Sequence, residues 1–230
     1  MSATLIIGDV HGCFDELARL LDILKPAQDD RLIQLGDLIN KGPDSPGCVA
    51  LARQTGMTCL IGNHEDRLLQ ARQARTPLQQ LKRDDAATLT AIEDPADWDW
   101  LATLPDQLPL PELETVCVHG GFLPGDPRPW QDQPRSITSQ IQVIAPGNRP
   151  GKRSDWPDSP LWADFWTGPP RVLYGHTPRP EPYLSPWALG IDTGCVYGGR
   201  LTAWVFPENR PVSVRARRAY SAGSADFYEG

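Results

Sequence analysis

The chain has only four histidines, and each stands beside a glycine or an asparagine. They occur as Gly8-Asp9-Val10-His11-Gly12, Gly62-Asn63-His64-Glu65, His119-Gly120-Gly121 and Tyr174-Gly175-His176-Thr177. A fifth segment, Gly36-Asp37, repeats the glycine-then-ligand form without a histidine. Carboxylate, imidazole and amide oxygen together suit Mn, Fe, Zn or Mg better than thiolate-seeking ions. Asp9 and His11, two apart in an extended segment, can aim at one ion because alternate residues share a face. Asp37 has two oxygens and can bridge a pair of ions, with Asn63, His119 and His176 completing the second. Two cations ~3.5–4 Å apart share a water or hydroxide and clamp phosphoryl oxygens. His64 remains as a non-ligand. It follows Asn63, leaves the backbone in another direction, and is expected to protonate a leaving oxygen.

Taken singly, each residue has a plainer explanation. A histidine after a strand is usually structural, and Asp37 or Asn63 alone fits a cap or turn. The joint pattern is what packing does not explain, because the surrounding elements place all five segments alike. Thr4–Ile7 is a short apolar run ending at Gly8. Residues 13–24 carry Phe14, Leu17, Leu20, Leu21 and Leu24 at helical spacing, and Lys25-Pro26 ends that helix. Residues 31–35 read as a second strand, 48–54 as a second helix and 57–61 as a third strand. This order predicts a largely parallel sheet covered by helices. Strands return at 115–118, 171–174, 188–191, 201–206 and 212–215. Ligands bind at the carboxyl ends of strands in such sheets, so the five polar segments are expected on one rim.

One domain over 1–230 is expected, with a helical insert at about 65–105 and a long Pro/Trp-rich loop at about 124–170. Loops of that length often lie over a functional site. The last ~15 residues read as a frayed tail. The 230 residues carry a formal net charge of -7, which argues against general DNA or anionic-membrane binding. No apolar run approaches the ~18 residues of a membrane span. The N-terminus reads as a first strand and not as a signal peptide. Five cysteines, an odd number with no CxxC pair, predict reduced thiols and a cytoplasmic setting.

The segments GDVHG at 8–12, GDLINKG at 36–42, GNHE at 62–65, HGG at 119–121 and GHT at 175–177 resemble, in order, the motifs of the calcineurin-like metallophosphoesterases. The likeness is to the phosphoprotein-phosphatase superfamily, which includes symmetrical diadenosine tetraphosphatases. It implies an α/β fold, a four-layer αββα sandwich with two mixed sheets around a dinuclear centre. By this resemblance Asp9, His11 and Asp37 hold one metal, and Asp37, Asn63, His119 and His176 the other. His64 is the general acid. Protein phosphatases carry an Asp-Arg pair where this chain has Asn40-Lys41, and an arginine near the last histidine where Tyr174 stands. Asn40 is neutral, so it would raise an imidazole pKa less than a carboxylate. Lys41 is a compact charge where arginine grips phosphate with two prongs. GDLINKGPDS at 36–45 and IDTGCVYGGRLTAW at 191–204 are instead similar to ApaH-like phosphatases, which brings Tyr197 and Arg200 toward substrate beside Lys41.

The expected activity is hydrolysis of a phosphoanhydride by attack of a metal-bridging hydroxide. Dinucleoside polyphosphates, capped RNA 5′ ends and inorganic polyphosphate are the candidate substrates. The cofactor is two divalent ions, manganese first, with iron, zinc, cobalt or magnesium as alternatives. Trp130, Trp156, Trp162 and Trp166 in the long loop are candidates for stacking a base. A serine/threonine phosphoprotein phosphatase with the same centre is the alternative. A degenerate metal-binding module is a third reading, opposed by the full ligand set.

Overall fold

Apolar strands alternating with amphipathic helices leave the central strands buried on both faces, and the computed structural model, which describes residues 2–222, places them accordingly. In chain order the elements begin with β1 (Thr4–Ile7), α1 (Phe14–Leu24), β2 (Arg31–Gln34), α2 (Ser45–Gln54) and β3 (Thr58–Cys59). Three helices follow, α3 (Asn63–Gln73), α4 (Arg83–Ala91) and α5 (Pro95–Ala102). Then come β4 (Gln107–Leu110), β5 (Thr115–Val118), α6 (Arg135–Thr138), β6 (Val143–Ala145), β7 (Arg149–Gly151) and α7 (Trp162–Phe165). The chain continues through β8 (Arg171–Tyr174), β9 (Tyr183–Leu184), β10 (Ala188–Gly190), β11 (Arg200–Phe206) and β12 (Arg210–Arg215).

Two five-stranded mixed sheets result, ordered β12-β11-β1-β2-β3 and β4-β5-β8-β10-β9. β1, β2 and β3 run parallel, as the β-α-β-α-β order requires, and β11 closes on β1 antiparallel. The period of two along each strand divides the core. Leu5 and Ile7 join the cluster containing Leu17 and Leu20 of α1 and Val49 and Ala52 of α2. Ile6 instead meets Cys117, Leu173 and Leu189 of the second sheet between the two layers. A fully buried side chain such as Ile6 contributes about 1.5–3 kcal/mol.

The outer face of the second sheet, Val116, Val118, Val172 and Tyr174, packs against Phe122, Ile137, Ile141 and Trp162. The fourth layer is therefore built from the one-turn helices α6 and α7 and the loops around them. Trp162, read from sequence as a stacking candidate, is 1% exposed and anchors this layer, packed on Tyr174 at 4.9 Å between ring centroids. Trp130 and Trp166 pack on Phe122 at 5.6 and 5.4 Å, and of the four only Trp156 is exposed.

Besides α6, β6, β7 and α7, which lie within the stretch expected as a loop at about 124–170, three further places depart from the sequence pattern. β4 contains Pro109, which suits an edge strand because proline cannot donate to a second neighbour. β3 is shorter than 57–61 because Ile61 N–H donates to Pro105 O and leaves β2. The expected frayed tail is docked as far as residue 221. Arg217 N–H and the Tyr220 hydroxyl both donate to the buried Glu16 Oε1 at 3.0 Å, and Tyr220 N–H donates to Val196 O. The rest of that expectation, residues 223–230, lies outside the described residues. Among the described residues, no helix is long and apolar enough to cross a membrane, and all five cysteines are buried and free.

Candidate metal centre

The loops that leave β1, β2, β3, β5 and β8 at their carboxyl ends meet on one rim. The first two are zipped by the backbone: Val10 and His11 N–H donate to Asp37 O, and Gly42 N–H donates to His11 O. Gly175 N–H donates to His119 O and joins the last two. Of the ten non-glycine residues with positive φ among those described, five belong here: His11, Asp37, Asn40, Lys41 and His176. Each such conformation costs about 1–3 kcal/mol and persists only where neighbours over-determine it. Two glycines permit the close approach. A Cβ at Gly62 would lie 2.2 Å from Asp37 Oδ1, and one at Gly175 2.0 Å from Asp9 Oδ1.

Asp37 is the hub. Its Oδ2 lies 3.4 Å from His11 Nε2 and 3.5 Å from His119 Nε2. Its Oδ1 accepts from His64 N–H at 2.9 Å, at the start of α3. Two compact groups of potential ligands share it: His11, Asp37 and His64, and Asp37, His119 and His176, each with donor atoms within 4.8 Å of one another. Asn63 Oδ1 is 3.1 Å from His119 Nε2. Asp9 belongs to neither group. It is buried, and both its oxygens lie 3.1 Å from the His176 N–H that donates to them.

Hydrogen bonding sorts the four imidazoles. A backbone carbonyl only accepts, so a ring nitrogen facing one carries the proton and leaves the other nitrogen bare. His119 Nδ1 faces Leu35 O at 2.8 Å, His11 Nδ1 faces Ile39 O at 3.4 Å and His176 Nε2 faces Gln140 O at 3.2 Å. His11 and His176 thus each present a bare nitrogen, the arrangement seen at metal sites, whereas both nitrogens of His119 face acceptors, its Nε2 meeting Asp37 Oδ2 and Asn63 Oδ1. His64 is the reverse. Its Nδ1 lies 2.8 Å from Asn40 Nδ2 and 3.1 Å from Arg67 Nη2, both donors. Nδ1 accepts, the ring proton sits on Nε2, and His64 is a poor ligand despite its place in the first group.

The electrostatics fit a cation pair. Burial, then the neighbouring Asp192 and Asp37, push the Asp9 carboxyl well above the usual range. Burial likewise pushes Asp192 up to about 6. His11 and His176 are lowered to about 3, by burial first and then by the Lys41 and His119 charges respectively. Burial opposes a charge on His119, yet the Asp37 carboxylate beside it holds it up to about 10. His119 thereby keeps a proton where Asp37 Oδ2 and Asn63 Oδ1 converge, a position a cation would take with release of that proton. Crowded carboxylates and neutral imidazoles are both relieved by divalent ions.

Sequence reasoning missed two buried carboxylates here. Glu65 accepts from Asp37 N–H and Gly62 N–H at 2.9 Å and from Ile39 N–H at 3.0 Å, locking the loop after β2 to the start of α3. Its position at the end of Gly-Asn-His-Glu, three residues past the cap Gly62, was the available signal. Asp192, within Ile191-Asp192-Thr193-Gly194, stands behind Asp9. Of the expected substrate contacts, Lys41 Nζ donates to Tyr197 Oη at 2.7 Å and lies 3.4 Å from His11 Nε2. Arg200 is exposed at the start of β11, and it is its backbone that closes the preceding turn against Thr193.

The calcineurin-like phosphoesterase family model matches residues 3–213. The chain is 35% identical over 209 residues to serine/threonine-protein phosphatase 1 of Salmonella typhimurium, covering 86% of this chain and 88% of that protein. It is 31% identical over 236 residues to the asymmetrical bis(5'-nucleosyl)-tetraphosphatase PrpE of Halalkalibacterium halodurans, covering 93% and 94%. A crystal structure of a candidate diadenosine tetraphosphatase superposes with a TM-score of 0.80 at 32% identity over 94% of each chain. The chain belongs to the calcineurin-like phosphoesterase family. It is a hydrolase acting on phosphate esters or anhydrides, and the family implies a dinuclear divalent-metal centre.

Proposed function

We propose that this hydrolase cleaves phosphoanhydride bonds of dinucleoside polyphosphates, capped RNA 5′ ends or polyphosphate, in a cytoplasmic setting suited to its unpaired thiols. Asp9, His11 and Asp37 would hold one divalent ion, and Asp37, Asn63, His119 and His176 the second, with Mn²⁺ the leading choice. Bound there, the ions supply Lewis acidity and an activated water. The chain's own residues orient the anhydride and receive the leaving group.

The observation that carries the substrate choice is the pair of donors on His64 Nδ1, Asn40 Nδ2 and Arg67 Nη2. They hold the ring with its proton on Nε2, from which it donates a hydrogen bond to the leaving oxygen. They also oppose a second proton on Nδ1. An alkoxide leaving from phosphoserine needs a full proton. A phosphoanhydride departs as a phosphate whose second ionisation lies near pH 6, and a hydrogen bond is sufficient for it. In the balanced step the water oxygen bonds to phosphorus and the anhydride P–O bond breaks. The leaving phosphate keeps the electron pair, and the water's proton passes to solvent.

The charge of the cleft supports the same reading. It has a volume of ≈ 350 Å³ and is lined by Lys41, His64, Arg67, Lys82, Lys152 and His176, among others. Asp84 and Asp85 also line it, and Asp85 pairs with Arg67, so Lys41, Lys82 and Lys152 leave a net positive cleft, which suits a chain of phosphates better than a single monoester. The test is a substrate panel with metal-reconstituted full-length protein. On the proposal, kcat/KM for diadenosine tetraphosphate exceeds that for a phosphoserine peptide by about 10²-fold or more, some 2.7 kcal/mol of differential transition-state binding. A preference for the phosphopeptide would sink it and favour the protein-phosphatase alternative.

A further inference from the structure

The Asn40 side chain is fully buried and uses every hydrogen-bonding position of its amide. Oδ1 accepts from Lys41 N–H at 2.9 Å and from the Thr88 hydroxyl at 3.0 Å. Nδ2 donates to His64 Nδ1 at 2.8 Å and to Asp85 Oδ1 at 2.7 Å. Rotating the amide end for end would set its NH₂ against the Lys41 N–H and its oxygen against the Asp85 carboxylate. The amide therefore has one orientation, and the groups that impose it from a distance are Asp85 and Thr88 of α4. Asp85 is itself 3% exposed. Arg67 of α3 clamps it with two prongs, Nε to Oδ2 at 3.0 Å and Nη2 to Oδ1 at 2.7 Å. Such paired contacts fix geometry as well as charge.

We propose that Asp85, clamped by Arg67, is the positioning residue of His64: acting through the Asn40 amide, it fixes the ring's orientation and keeps its proton on Nε2, toward the leaving oxygen. This rests on the reading that His64 donates to that oxygen. The carboxylate is supplied by α4, 45 residues from Asn40, and reaches the imidazole through the amide and, in parallel, through Arg67 Nη2, which lies 3.1 Å from His64 Nδ1. Asp85 touches neither substrate nor reacting atoms. Thr88, one turn further along α4, fixes the other end of the same amide. The wall of the cleft that carries Lys82 and Asp84 is thus tied directly to the catalytic ring.

The test is a double-mutant cycle on the full chain with diadenosine tetraphosphate as probe, metal content being measured for every variant. Asp85→Asn is expected to lower kcat about 10-fold at unchanged KM, and to add nothing in a His64→Asn background, because coupled residues are not additive. Equal losses in both backgrounds, or no loss in either, would overturn the proposal. Thr88→Val, which deletes only the hydroxyl donor, should give a smaller loss with the same coupling and serves if Asp85→Asn folds poorly. A second readout does not depend on turnover. In the Mg²⁺-reconstituted protein, ring ¹⁵N spectra should place the His64 proton on Nε2, and Asp85→Asn should move the ring toward a mixture of tautomers. An unmoved spectrum contradicts the positioning role. A His64→Asn variant of undiminished kcat, or a wild type inert toward the probe, instead contradicts the functional reading and leaves the spectrum to decide on Asp85.

Discussion

Replacing Asp37 with Asn is expected to strip the protein of metal and remove its turnover while leaving the fold in place. The substitution is nearly isosteric, and its oxygen can still accept from the His64 N–H that now meets Oδ1. The backbone N–H of residue 37 stays bonded to Glu65. What changes is the atom at Oδ2, which lies within 3.5 Å of both His11 Nε2 and His119 Nε2. There an NH₂ donor would take the place of the one oxygen able to serve two cations. The loss expected in kcat/KM is about 10³-fold or more, the several kcal/mol that Lewis-acid stabilisation supplies. Elemental analysis after reconstitution, a melting curve and kcat/KM together decide the matter. A variant that keeps both ions, or one that loses activity only because it unfolds, would count against the bridging role.

His64→Asn separates the other half of the machinery. The ring is adjacent to Asn63, a ligand on the proposed assignment, yet its Nδ1 faces donors, so it should contribute nothing to metal retention. Removing its Nε2–H is expected to lower kcat by about 10²-fold, the loss typical of one preorganised hydrogen-bond donor aimed at developing charge. KM and metal content should stay within a few-fold of wild type. Steady-state kinetics beside elemental analysis reads both. Undiminished kcat would remove His64 from the reaction, and loss of one ion would make it a ligand and overturn the tautomer argument.

The parts of this site that the sequence made legible are those written locally. A short apolar run followed by Gly-Asp or Gly-Asn marks three strand ends, and one followed by a glycine-flanked histidine marks two more; these five places share a rim formed by the parallel strands of both sheets. Asp85 carried no such mark. It is one of two adjacent aspartates in a polar helix, and only the packing of α4 over the loop after β2 distinguishes it from Asp84. Asp192 was hidden for a related reason, since it follows β10 of the second sheet and meets Asp9 only through the close approach of Gly8 to the Ile191 backbone. One tryptophan misled because composition cannot tell a stacking platform from an anchor. Trp162 lies in a one-turn helix with no periodicity to report its burial. Arg200, in a segment resembling a substrate loop, closes the turn with its backbone and leaves its side chain exposed. The chain end was unreadable because its anchor, Glu16, lies about 200 residues away in α1.

The account turns on whether this rim holds two cations at once. Metal-free full-length protein titrated with Mn²⁺, followed by calorimetry and electron paramagnetic resonance, measures this directly. The expected result is two ions per chain with the magnetic coupling of a bridged pair, reduced to one ion or fewer in Asp37→Asn. Saturation at a single ion, or two ions without coupling, would contradict it.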